Sequence, residues 1–274
     1  MPVAALLLAL AAACIHALWN LLLARARDPE AATAVAFFVG LVAFAPVAAL
    51  VWRAKPSVWP YVLASGLVQV AYTALLAAAY GRVALSVVYP LARGLAPVLV
   101  LVAGVVVLGK ATSWGQATGV CLVGGGVLLV RGGLRRAHAA GTVFGVAIAC
   151  CIAGYTLVDK HGIRHAAPLT YLELEMLLPS LLYPAAVARW KGVQALRAEL
   201  GWHSVVAGLC TFGAYGLALL ALQRASAASV AAVRETSVVL TVLLAGRVLR
   251  ERAGAARIAG AAAVAGGVAL LSLT

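Results

Sequence analysis

The chain has 274 residues, of which 65% are hydrophobic and 11% charged, with a mean hydropathy of +1.05. Soluble domains average roughly 45–50% apolar and about 25% charged residues, so this composition excludes an ordinary water-soluble enzyme and a disordered chain alike. The net charge of +13 would suggest nucleic acid in a soluble protein. Here the basic residues punctuate apolar runs, as cytoplasmic loops and headgroup anchors do, and no nucleic-acid partner is expected.

Ten apolar segments follow in chain order, at 3–24, 31–52, 58–80, 84–109, 114–130, 140–158, 167–190, 203–222, 227–248 and 254–273. The first lacks a basic n-region and runs on through Leu23, so it is expected to remain a membrane helix rather than a cleaved leader. None alternates as a barrel strand does. In lipid a backbone must satisfy its own hydrogen bonds, so each segment is predicted to be a helix, giving an all-α polytopic membrane protein. Trp59, Trp114, Trp190 and Trp202 fall at segment ends, where an aromatic belt accounts for them. The five cysteines lie inside apolar stretches, without CxxC or a nearby His pair, so neither a disulfide framework nor a metal site is expected. Glycine runs at Gly124–Gly126 and Gly266–Gly267 suit close helix approach. With no preceding strand and no GK[ST], they are not a phosphate loop.

The segments repeat. A shift of 141 carries Gly119, Gly125, Gly126 and Val127 onto Gly260, Gly266, Gly267 and Val268, and Arg93 onto Arg234. A shift of 142 matches Gly66 to Gly208 and Arg82 to Arg224, a shift of 138 matches Pro46 to Pro184, and a shift of 136 matches Trp19 to Tyr155. Shifts that change only in the connections indicate a duplicated five-helix unit, with halves expected at 1–136 and 137–274. Five is odd, so the second copy enters the membrane from the opposite side. The result is a 5+5 inverted-topology repeat, the architecture of many secondary transporters, which bind substrate near the midplane between the repeats.

Other residues carry a family likeness. His16, Trp19 and Asn20 in the first segment, Tyr89, Pro90, Arg93 and Pro97 in the fourth, and Glu251 followed by Gly260 and Gly266–Gly267 resemble the EamA branch of the drug/metabolite transporter superfamily. The resemblance covers the whole chain. It implies a multi-pass carrier for small metabolites in the bacterial cytoplasmic (inner) membrane, often an exporter, with a cavity between its halves. Lys110 stands where the first half of the family usually has the acid that Glu251 matches in the second.

An ionisable group inside a membrane span is costly and is a functional candidate by default. Arg93 and Arg234 lie near the middle of their segments and are expected to face a central cavity from opposite sides. A five-donor guanidinium fork suits carboxylate, phosphate or phosphonate. The alternative is that these arginines are tied to Glu235, Glu173 or free carbonyls. Tyr89 and Ser86 share a helix face with Arg93, and Ser237 and Thr241 share one with Arg234. His16, Trp19 and Asn20, the cluster Tyr155, Thr156 and Asp159, the pair Gln69 and Tyr72, and the pair Thr211 and Tyr215 occupy cavity-like positions, although each alone also suits helix-packing contacts. Glu173 and Glu175 are two apart, so at most one points inward. Glu235 and Glu173 are the coupling or counter-ion candidates.

The expected substrate-binding set is therefore Arg93, Arg234, Tyr89, Trp19, Asn20, His16, Tyr72, Tyr155, Tyr215 and Ser237, in a cavity lined by the first, third, fourth, sixth, eighth and ninth segments. No catalytic, metal or cofactor site is expected. The expected function is a secondary transporter, exporter or exchanger, of a small anionic or zwitterionic metabolite. The alternatives are a proton-coupled exporter of cationic drugs using Glu173 or Glu235, and a membrane-embedded lipid-handling enzyme or flippase. Expected partners are the substrate and the bilayer, with a homodimer as an option.

Loops on the N-terminal face carry six basic residues, among them Arg53, Lys110 and Arg164, and the other face carries thirteen. The positive-inside rule then places both termini outside, whereas the resemblance implies both inside. Insertion responds to the chain's own loops, so the charge count is preferred. A reporter active only in the periplasm, fused after Thr274, is expected to be active; an inactive fusion reverses the orientation.

Overall fold

The computed structural model describes residues 1–23, 26–80, 85–130, 139–240 and 255–273. Its helices are α1 (Val3–Leu23), α2 (Pro29–Leu50), α3 (Trp59–Tyr80), α4 (Leu85–Val106), α5 (Trp114–Val130), α6 (Ala139–Gly162), α7 (Pro168–Lys191), α8 (Val193–Ala198), α9 (Trp202–Leu222), α10 (Ala227–Arg234) and α11 (Ala255–Leu273), with a 3-10 turn at Pro56–Val58 before α3. Among the described residues five stretches are long and apolar enough to cross a membrane: Val3–Asn20, Pro29–Leu50, Pro56–Ala79, Ala139–Gly162 and Trp202–Leu222. Leu91–Val106, Trp114–Val130 and Ile258–Leu273 are shorter apolar helices. Thr241, Glu251 and the side chains of Ser86 and Tyr89 lie outside the described residues.

Local signals account for the boundaries. Asp28 caps α2 by accepting from the amides of Glu30 and Ala31, and Pro29 takes the first helical position, where its missing N–H costs nothing. Pro168 starts α7 in the same way. The short α8, which buries no residue, fills the connection between α7 and α9. The ninth segment departs from expectation. Its apolar run reads as one helix, but α10 stops at Arg234, and i to i+3 bonds replace the regular ladder: the Glu235 amide donates to Ala232 at 3.0 Å and the Val238 amide to Glu235 at 3.0 Å. Helix resumes at 236–240.

Packing follows the duplication. With five helices per half, α1 matches α6, α2 matches α7, α3 matches α9, α4 matches α10 and α5 matches α11. The contact of α1 with α9 has its mate in α6 with α3, that of α2 with α9 in α7 with α3, and that of α4 with α6 in α10 with α1. Three contacts are their own mates: α2 with α7, α4 with α10 and α5 with α11. This is the pattern of a two-fold axis relating the halves.

The α5–α11 seam brings small residues together. Gly119 meets Gly267, and Gly126 meets Gly260; a Cβ on Gly126 would sit 2.7 Å from the Gly260 oxygen, and one on Gly260 would sit 2.6 Å from the Gly126 oxygen. Lipid gives helices no hydrophobic drive to associate, so close backbone approach has to supply it.

The two faces differ. On the N-terminal face the 53–55 and 165–167 connections pair: the Lys55 amide donates to His165 at 2.8 Å and the Ala167 amide to Arg53 at 2.7 Å. On the other face Lys191 bridges Asp28 and Glu30. Partial burial pushes the Asp28 carboxyl up, but the Lys191 ammonium and the amides of Ala31 and Glu30 outweigh it and hold it below the usual carboxylate range.

Gly126→Val should lower thermal stability in detergent by about 1–3 kcal/mol through overpacking. Gly125→Ala, where an added Cβ meets nothing within 4 Å, should leave it unchanged. Equal melting shifts in the two variants would reject the seam.

Candidate functional site

One cavity of about 310 Å³ lies between the halves. Its wall includes His16, Trp19 and Asn20 from α1, Gln69 and Tyr72 from α3, Arg93 from α4, Tyr155 from α6, Thr211 and Tyr215 from α9, and Arg234 from α10. Leu23, Pro29 and Thr33 carry it toward the face bearing the α1–α2 connection.

The two arginines meet different fates. Arg93, 6% exposed, donates through Nη1 to Glu235 Oε1 at 3.3 Å, and its Nη2 meets His16 Nε2. The Trp19 indole N–H donates to His16 Nδ1 at 2.9 Å. Arginine and tryptophan only donate, while a neutral imidazole has one acceptor nitrogen, so His16 can serve only one of them at a time. Arg234 lies with its guanidinium carbon 5.6 Å from the centre of the Tyr215 ring. Among the described residues no hydrogen bond or ion pair holds that guanidinium. Tyr72, Tyr155 and Tyr215 form an edge-to-face series with ring centres 6.3 and 6.0 Å apart. The wall is thus aromatic, with two cations and several polar groups, a composition suited to a small polar solute.

Eight of the residues expected from sequence share this cavity: His16, Trp19, Asn20, Tyr72, Arg93, Tyr155, Tyr215 and Arg234. Glu235 is buried behind Arg93, with Oε2 meeting no hydrogen-bond donor among the described residues. Ser237 is fully buried and does not line the cavity. Glu173 is half-buried, away from the wall. The expected lining also omits two helices that contribute, α2 with Thr33 and Phe37 and α7 with Met176 and Tyr183. Apolar residues facing a cavity share their pattern with apolar residues facing a neighbour, and Thr33 and Tyr183 were the available hints.

At the end of the cavity nearer the N-terminal face is a buried polar network. Tyr215 donates to Asp159 Oδ2 at 2.5 Å, and Gln69 Nε2 donates to the Tyr215 hydroxyl at 2.9 Å. Ser65 Oγ lies 2.6 Å from Asp159 Oδ1 and 2.7 Å from Glu175 Oε2. Of the two acids on α7, Glu175 is therefore the one that points inward.

Known proteins agree with this architecture. The chain matches the model of the EamA-like transporter family twice, over residues 3–132 and 139–273. No curated protein sequence matches it at a significant level. A crystal structure of another protein superposes with a TM-score of 0.79 at 16% identity, covering 100% of this chain and 98% of that one. At that identity the likeness is one of fold.

Glu235→Ala should strand the buried Arg93 guanidinium and cost about 3–5 kcal/mol, and replacing both partners by apolar residues should recover most of the loss. Thermal unfolding of the single and double variants measures both. Equal losses in the two would mean that the pair contributes packing rather than charge.

Proposed function

Since the chain belongs to the EamA-like transporter family, we propose that it is a secondary carrier that moves a small anionic or zwitterionic organic metabolite, as an exporter or exchanger, by alternating access. The observation that carries the reading is the placement of Arg93 and Arg234 on the wall of one cavity between the repeats. The Arg234 guanidinium rests on an aromatic face and keeps its five donors for an incoming oxyanion. Arg93 shares its fork with Glu235, so an anionic substrate group competes with an internal carboxylate for the same donors. A counter-ion of this kind holds the arginine in place in the empty carrier and gives way when the substrate binds.

A cationic cargo fits this wall poorly. It would meet two guanidinium groups, while Glu235 is already engaged and Glu173 stands outside the wall. The remaining lining supplies orientation: Asn20, Gln69, Tyr72 and Thr211 can hydrogen-bond an amine or hydroxyl group.

Alternating access requires the two halves to rock around the cavity. The cavity reaches the α1–α2 face, and paired connections close the N-terminal face. With the orientation favoured by the loop charges, the open face is the cytoplasmic one.

The purified protein should show a raised melting temperature with one or more members of a panel of amino acids, organic acids, and phosphorylated or phosphonate metabolites. Arg93→Ala and Arg234→Ala should each weaken that ligand by about 10–100-fold, the loss expected for a hydrogen bond to a charged group, with the fold unchanged in Arg234→Ala and lowered thermal stability in Arg93→Ala, which strands Glu235. Unchanged binding in both variants would remove the anion site.

A further inference from the structure

Asp159 and Glu175 are both fully buried, and neither is used in the substrate reading above. Their surroundings can be enumerated by element. From α3 come Ser65 and Gln69, neither of which titrates; from α9 comes Tyr215; from α7 comes Tyr171, whose hydroxyl donates to Asp159 Oδ1 at 3.1 Å. From α6 itself come Tyr155 and Lys160, and the Lys160 ammonium turns away to the carbonyls of Leu222 and Ala225. No cation among the described residues pairs with either acid.

A proton count then constrains the pair. The Ser65 hydroxyl has one hydrogen but lies at bonding distance from two carboxyl oxygens, so the second contact is a hydrogen bond only if a carboxyl donates it. The Asp159 and Glu175 carboxyls thus share the Ser65 hydroxyl, and two ionised carboxylates have no hydrogen to supply the second contact. Glu175 Oε1 is buried and meets no donor among the described residues. Three hydroxyls converge on Asp159, from Ser65, Tyr171 and Tyr215. Asp159 is therefore built to be the carboxylate and Glu175 to be the acid. Two buried charges without a counter-ion are far costlier than one shared proton.

We propose that Asp159, Glu175 and Ser65 form a proton-binding site that exchanges its proton with the substrate cavity through the hydroxyl of Tyr215, and that this proton is the coupling ion of the carrier. Tyr215 is the link because it both lines the cavity and donates to Asp159. The site rests on the carrier reading for its purpose, but its existence is independent of the substrate.

Infrared difference spectroscopy of the full chain in nanodiscs, titrated through the neutral range in choline chloride, tests it without a substrate. The wild type should show the carbonyl stretch of a protonated carboxyl at neutral pH, shifted in D2O, and Glu175→Gln should lose that band. Tyr215→Phe should keep the band and slow its deuterium exchange several-fold, and this arm stands even if Glu175→Gln fails to fold. A wild type without the band, a band that survives Glu175→Gln, exchange unaffected by Tyr215→Phe, or a band abolished when sodium replaces choline would each overturn the proposal. Loss of the anion site in the melting experiment leaves these readouts untouched, so the two readings fail separately.

Discussion

Hydrocarbon does not solvate polar groups, so a carrier built within it must find a partner for each polar side chain in another helix. In this chain many of those partners come from the other half. Arg93 reaches Glu235, Ser65 reaches Asp159 and Glu175, Gln69 reaches Tyr215, Gln116 reaches Ser229, and Lys191 reaches Asp28. Interhelical hydrogen bonds in membranes contribute about 0.6 kcal/mol each on average. Such contacts hold the halves in register while each contributes little singly. The seam of α5 and α11 is of another kind, backbone against backbone through glycine, and suits a fixed hinge line better than a moving surface.

The duplication makes a symmetric scaffold, and a few residues break that symmetry chemically. Arg93 and Arg234 occupy equivalent positions 141 apart, but the residue after Arg93 is Gly94 and the residue after Arg234 is Glu235. Gly94 lies against α5, where a Cβ would come 2.9 Å from the Gly124 oxygen. An acid has no room there. Its counterpart sits where the helix breaks, and the carboxylate turns onto Arg93. One arginine thus gains an internal counter-ion and the other does not, although the fold offers both the same place.

Much of this was legible in the sequence, and the failures have definite causes. Apolar runs of span length, bounded by Asp28–Pro29 or by basic clusters, gave helix ranges within a few residues, and the shift of 141 gave the Gly119–Gly267 and Gly126–Gly260 seam its symmetry. The eight cavity residues were found because a polar or aromatic side chain in an apolar span needs a reason to be there. The break at Glu235 left no such mark, since the short polar run Arg234–Ser237 sits between apolar stretches and no proline or glycine punctuates it. Phe37, Met176 and Tyr183 were missed because apolar patterning does not separate a cavity wall from a helix contact. For Glu173 and Glu175, spacing establishes that at most one points inward. Which one depends on the position of Ser65, 110 residues away from Glu175.

The same registers explain why one end of the cavity is closed and the other is not. Shifts of 136, 138 and 142 place Asp159 opposite Leu23, Glu175 opposite Phe37, Ser65 opposite Ala207 and Tyr215 opposite Thr73. The four residues that form the buried polar network toward the N-terminal face therefore have counterparts with almost no hydrogen-bonding capacity toward the other. Leu23, Phe37 and Thr73 line the cavity as it opens there. In a symmetric carrier the two end states would be mirror equivalents of equal energy. In this structure the N-terminal end of the cavity holds a set of hydrogen bonds that the equivalent positions Leu23 and Phe37 at the other end have no groups to form. A ligand or ion can bias a two-state equilibrium only through differential interaction with the two states. The acid pair and its hydroxyl partners are where this chain departs furthest from its own symmetry, and so where such a bias has most to act on.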